Sequence, residues 1–365
     1  MSGAGWPPAR PAWYLRTLWG AYSVLVIYAS LAPFGPWEPW QALSWRFLLA
    51  PLPRHVTTFD VLINVLAYLP LGWLGTVAWR QRWPRHAILL AVLGAGLLSF
   101  TMESLQGLLA PRIPSNVDLL TNTLGAACGA APWLMPRACE RMLAPLERWR
   151  ERTLLPGPGA EMGCLLLMLW CACHLDPAIP FLGAGVLRNP YALQWFEQAA
   201  DPADWGLQTA AAALSTAGLG LFMACLVKQR RVAHTLTLLM LLLVMAAKAT
   251  MADFLLKPAL ATEWFGSATL AGLALGAFLL LGCLGLVGAR RALVAGVCLL
   301  AGGTLAKLGS HYVPLAAMRA LFGWNFGQLR SFTGLTVWLN EIWPLLTVLF
   351  LVVWSPRAPQ VSSSP

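Results

Sequence analysis

Charge is what this chain has least of. Asp, Glu, Lys and Arg together supply 11% of its 365 residues, against 58% hydrophobic. Soluble domains carry about a quarter of their residues as these four types, so a water-facing globular surface is excluded. Segments of about ten residues that alternate apolar and polar side chains are missing too, which removes a membrane β-barrel. There is no HExxH metal motif, no GxSxG elbow and no nucleophile paired with histidine, and enzymatic activity stays undecided on that ground. The eight cysteines fall in or beside apolar runs and read as small packing residues. Cys171-Ala-Cys173-His174 lacks a second ligand pair at a recognisable spacing, so no metal and no cofactor are expected.

What the chain does have is long apolar runs. Ten of them are candidate spans of an all-α, polytopic transmembrane bundle: 13–33, 60–79, 87–109, 117–135, 161–182, 206–227, 235–254, 264–287, 292–309 and 335–354. Cytoplasmic loops are enriched in Lys and Arg. Sixteen of these residues fall on one alternate set of connections, among them Arg80, Arg82, Arg85, Arg137, Arg141 and Arg148. Seven (Arg46, Arg54, Arg112, Arg188, Lys257, Arg319 and Arg330) fall on the other. Both termini are therefore expected in the cytoplasm. The net charge of +10 belongs to membrane topology, and no nucleic-acid partner is expected. The first apolar run is too long for a cleavable signal and reads as a retained anchor.

The chain divides into a four-helix membrane domain over 1–135, a basic cytoplasmic linker over 136–160, a six-helix membrane domain over 161–354 and a disordered tail over 355–365. Two connections on the outer side carry aromatic residues, Trp37, Trp40 and Trp45 in the first, Trp195 and Phe196 in the second. Indole rings at such places anchor a chain at the membrane interface.

The informative residues are the polar ones inside the first domain. Each polar group in hydrocarbon costs several kcal/mol unless it is paired or hydrated. Asp60 and Asn64 are four apart, as are Asp118 and Asn122, so each pair shares one helix face and can point at one site. Asn64 and Asn122 lie roughly 6 Å below the outer helix ends, and Glu103 and Gln106 on the returning helix lie roughly 9 and 5 Å below its own end. Arg112, in the short loop that follows, is long enough to reach them. Plainer roles stay open beside this one. Asp60 and Asp118 can cap helix N-termini, Asn64 and Asn122 can bond between helices, and Gly125 with Gly129 can form a close-packing face. Phe59-Asp-Val-Leu-Ile-Asn-Val-Leu also echoes Val117-Asp-Leu-Leu-Thr-Asn-Thr-Leu, as two parallel helices of a short repeat would.

The pattern Asp60-x3-Asn64, Pro70-x-Gly72, Glu103-x2-Gln106, Arg112, Asp118-x3-Asn122, Gly125-x3-Gly129 resembles the VanZ-like family of bacterial membrane proteins over the first 135 residues. Residues 160–365 resemble, less specifically, the extra membrane region of longer members, through Phe326-Gly-Gln-Leu-Arg330 and Trp343-Pro-Leu-Leu346. The resemblance implies a multi-pass protein of the bacterial inner membrane tied to the cell envelope, in a family whose founding member is associated with low-level teicoplanin resistance. It implies no reaction.

Polar groups of the later helices, His174, Asp176, Lys248, Asp253, Lys307, His311, Asn340 and Glu341, all map toward the outer helix ends, as the lining of a hydrated outward cavity would. Lys248 and Lys307 lie deepest in their spans. The expected role is binding of an envelope lipid or lipid-linked precursor headgroup by Asp60, Asn64, Glu103, Gln106, Arg112, Asp118 and Asn122. A membrane-embedded enzyme acting on a phosphorylated or acylated lipid, with Glu103 as acid or base, and a lipid or small-molecule transporter are the alternatives.

Overall fold

The computed structural model describes residues 12–31, 34–51, 58–80, 82–110, 112–177, 179–182, 202–256, 265–283, 285–309 and 326–354. The second aromatic connection with Trp195 and Phe196, the tail over 355–365, His311, and Arg54, Arg188, Lys257 and Arg319 lie outside them, as do the side chains over Phe326–Arg330. Six of the described helices are long and apolar enough to cross a membrane. The protein is an all-α, polytopic membrane bundle, and it falls into two compact units, Met1–Pro145 and Leu146–Pro365.

The first unit holds α1 (Ala12–Leu31), α2 (Thr58–Arg80), α3 (Ala87–Gln106) and α4 (Asn116–Ala130), with a 3-10 turn at Ala131–Leu134 lengthening α4. Apolar side chains gain nothing by leaving lipid, so such helices are held by close packing and polar contacts. Glycines supply the packing between α2 and α4. A Cβ on Gly125 would overlap the Val65 carbonyl, one on Gly129 the Leu69 carbonyl, and one on Gly72 the Ala126 carbonyl. Because Val65 and Leu69 ascend with Gly125 and Gly129, the two helices run parallel and their first turns lie side by side. Tyr22 ties α1 to α2 by donating to the Ala67 carbonyl at 2.9 Å. Tyr68, Leu71, Ala95 and Ala126 fill the centre.

The connection expected as a linker is helical over α5 (Pro136–Thr153), which crosses the division between the units. Its charged, amphipathic sequence makes a solvated helix rather than an extended tether, and Arg80 at the end of α2 pairs with Glu140 at 3.0 Å while stacking over Trp133.

The second unit holds α6 (Pro158–His174), α7 (Pro202–Leu226), α8 (Arg230–Leu255), α9 (Ser267–Gly282), α10 (Gly288–Gly309) and α11 (Phe326–Val353). Helix α7 is its centre: 78% of its apolar window is buried, against 28% in α8, α10 and α11. Small residues again permit the contact, with Gly272 and Gly276 of α9 set against Thr209, Ala212, Ala213 and Thr216, and Gly302 of α10 against Ser215.

Lys248 is placed otherwise than its sequence position suggested. It does not line a hydrated cavity but is fully buried, and its ammonium donates to the Asp176 carbonyl at 2.6 Å and the Ile179 carbonyl at 2.7 Å. The Asp176 carboxylate, within electrostatic range of that ammonium, accepts from Thr336 Oγ1 at 2.6 Å. The chain just beyond α6 thus wraps a lysine from α8, and cation and carbonyls satisfy one another where water is absent. Lys307 and Glu341 pair with each other at 2.8 Å.

Candidate functional site

Helix α4 opens on a side-chain cap. Ser115 is the N-cap residue, and its hydroxyl accepts from the Asp118 amide at 3.3 Å. Asp118 therefore sits at the third helical position instead of capping the helix, and its carboxylate interacts with the Ser115 hydroxyl as well as with neighbouring elements. Asp60 occupies the first turn of α2. The parallel packing of α2 on α4 brings the two turns level, and the Asp118 carboxylate accepts a side-chain hydrogen bond from Asn64 while standing within electrostatic range of Asp60 and Arg112.

Glu103 completes this group from the last turn of α3. Its side chain is buried, at 3% exposure, and its Oε2 accepts the Ser115 backbone N–H at 2.8 Å. One carboxylate of α3 thereby fixes the residue that starts α4, across a loop that also carries Arg112. The Arg112 guanidinium faces both Glu103 and Asp118. Its burial lowers its pKa, and the two carboxylates oppose that shift. Three carboxyl groups, one amide and one guanidinium therefore meet at one end of three helices. The group is rich in acceptors, suited to hydroxyl and amine donors, with a single fork for an anionic oxygen.

A second polar layer lies below. Asn122 donates to Ser99 Oγ at 3.0 Å, and the Tyr68 hydroxyl stands near the same serine. The Asn122 Oδ1 is buried without a hydrogen-bond partner among the described residues. Over the loop, Asn116 donates to the Ala50 carbonyl at 2.7 Å, and Glu38 and Leu108 join by a backbone bond of 2.7 Å, so the segment with Trp37, Trp40 and Trp45 is fastened across the helix ends. Those three indoles are themselves exposed.

Of the seven residues read from the sequence, Asp60, Asn64, Glu103, Arg112 and Asp118 are brought together and Asn122 lies one layer beneath them. Gln106 turns away: its amide donates to the Ser30 carbonyl at 2.9 Å and holds α3 to the end of α1. Sequence reasoning missed Ser115, Ser99 and Tyr68. Ser115-x-x-Asp118 was the available signal for the first, while the other two carry none, because a serine or tyrosine in an apolar run shows its partner only after packing. Among the described residues no group of three or more His, Cys, Asp or Glu is placed to hold a metal ion.

Parallel α2 and α4, the returning α3 and a polar cluster at their shared end define a polytopic membrane protein with a partly buried acidic cluster. Residues 14–137 match the model of the VanZ/LLP1 family. The similarity to that family lies within the first unit and does not reach the membrane unit that follows. No curated protein and no solved structure matches the chain.

Proposed function

We propose that the cluster of Asp60, Asn64, Glu103, Arg112 and Asp118 binds the polar headgroup of an envelope lipid or lipid-linked precursor at the outer face of the bacterial inner membrane. The carrying observation is the Glu103 carboxylate, buried at the loop between α3 and α4 and facing Arg112 and Asp118. One bond to the Ser115 N–H leaves the carboxylate further lone-pair sites, and for packing alone an apolar residue at its place would serve as well or better. Carboxylates and amides accept from the hydroxyl or amine groups of a headgroup, while Arg112 meets its phosphate. Sequestering such a headgroup is the route by which the protein would contribute to glycopeptide resistance.

The test is lipid-binding mass spectrometry on the purified full-length protein. Glu103→Gln and Asp118→Asn keep size and remove charge. Each is expected to weaken retention of the bound envelope lipid about tenfold, the effect of losing roughly one charge-assisted hydrogen bond. Unchanged retention in both variants would overturn the reading.

A further inference from the structure

The second unit contains a cavity of about 190 Å³ that is separate from the acidic cluster. Trp170, Leu219, Leu299 and Trp343 line it with apolar surface, while Lys307, Asn340 and Glu341 add polar groups. We propose that this cavity is a second lipid site, taking a zwitterionic phospholipid headgroup of the phosphoethanolamine type.

The charge arrangement carries the assignment. Lys307 Nζ and Glu341 Oε2 are 2.8 Å apart, with side chains 51% and 33% exposed. An ammonium has three donors and a carboxylate about four lone-pair sites, so one mutual bond leaves both able to bind further. A ligand bearing phosphate and ammonium two carbons apart matches both halves of the pair; an anionic lipid matches only Lys307 and meets the repulsion of Glu341.

Two further features fit. His174 lines the cavity, and its Nδ1 is 2.9 Å from the Trp170 carbonyl. Because that carbonyl accepts only, the proton of a neutral ring sits on Nδ1 and leaves Nε2 as an acceptor. Pro344 lacks the N–H that would close a helical bond to the Asn340 carbonyl, so a backbone acceptor is released on the cavity side of α11. The cavity is smaller than the ~300–1,000 Å³ of sites for drug-sized ligands, which suits one compact headgroup.

Gly303 supplies the blocking variant. It lines the cavity, and a Cβ there would meet only Pro344 Cγ at 3.7 Å, an ordinary contact, so a larger side chain extends into the space without striking backbone. The measurement is retention of lysophosphatidylethanolamine by the full-length protein, against lysophosphatidylglycerol and against phosphoethanolamine without a chain. The ethanolamine lipid is expected to be held about tenfold better than the glycerol lipid, as for one charge-assisted contact. Gly303→Leu and Lys307→Gln are each expected to lose that retention, and Glu341→Gln to lose the preference between lipids. Lys307 is half exposed, so its variant tests the site even where Gly303→Leu fails to fold. Equal retention of the two lipids, undiminished binding in Lys307→Gln, or free phosphoethanolamine competing as well as the lipid would overturn the proposal.

Discussion

Replacing Lys248 with alanine is expected to destabilise the second unit by about 3–5 kcal/mol, the range for removing one partner of a buried charged network. The Asp176 and Ile179 carbonyls would each lose the ammonium donor, the Ile179 backbone N–H reaching only the first of them at 3.2 Å, and the Asp176 carboxylate would lose its cation. Lys248→Met is the informative companion. Methionine restores most of the volume but none of the donors, so it is expected to recover less than half of the loss if hydrogen bonding and charge dominate. Unfolding of the purified protein in denaturing detergent measures both. A variant as stable as the wild type would show that the chain beyond α6 finds other donors when the lysine is gone.

Alanine at Gly129 is expected to cost about 1–3 kcal/mol, the usual penalty for overfilling a packed interior. The added Cβ overlaps backbone, the Leu69 carbonyl, which cannot rotate away as a side chain can, so α4 must move off α2. Stability and headgroup binding should fall together, since the same contact sets Asp118 level with Asp60. Gly94→Ala is the control. A Cβ at that position meets nothing within 4 Å, and alanine is the better helix former by roughly 0.5–1 kcal/mol, so this variant should be neutral or slightly stabilised. Thermal unfolding of the two variants beside the wild type distinguishes a tight crossing at Gly129 from a general intolerance of change.

The helices and the outline of the acidic site were legible because both depend on local periodicity. Apolar runs mark the spans, and the repeated Asp-x3-Asn spacing placed two polar faces on α2 and α4 whose parallel contact then brings them level. What escaped depends on partners distant in sequence. Nothing near Gln106 announces that its amide will bond the Ser30 carbonyl, 76 residues away, instead of joining Glu103. Lys248 looked like a cavity-lining cation because a charge in a span usually seeks water. Its carbonyl partners come from an irregular turn whose course no periodicity encodes. The α5 helix was hidden for the opposite reason: its charges and Pro145 read as a connection, although Met135, Met142, Leu146 and Trp149 recur at helical spacing and stay exposed. Asp118 as a cap was the natural reading of an acid at a helix start, yet Ser115 three residues earlier takes that role and releases the carboxylate to the site.

The central claim is that Glu103, Arg112 and Asp118 act as one binding unit. A double-mutant cycle of Glu103→Gln and Arg112→Gln, read as the affinity of the full-length protein for its envelope lipid, tests it most directly. Side chains in one polar network couple by about 0.5–3 kcal/mol, whereas distant ones add. The expected result is a double variant that binds no more weakly than the worse of the two single variants. Losses that simply sum would mean that the two residues act separately and that no shared site exists.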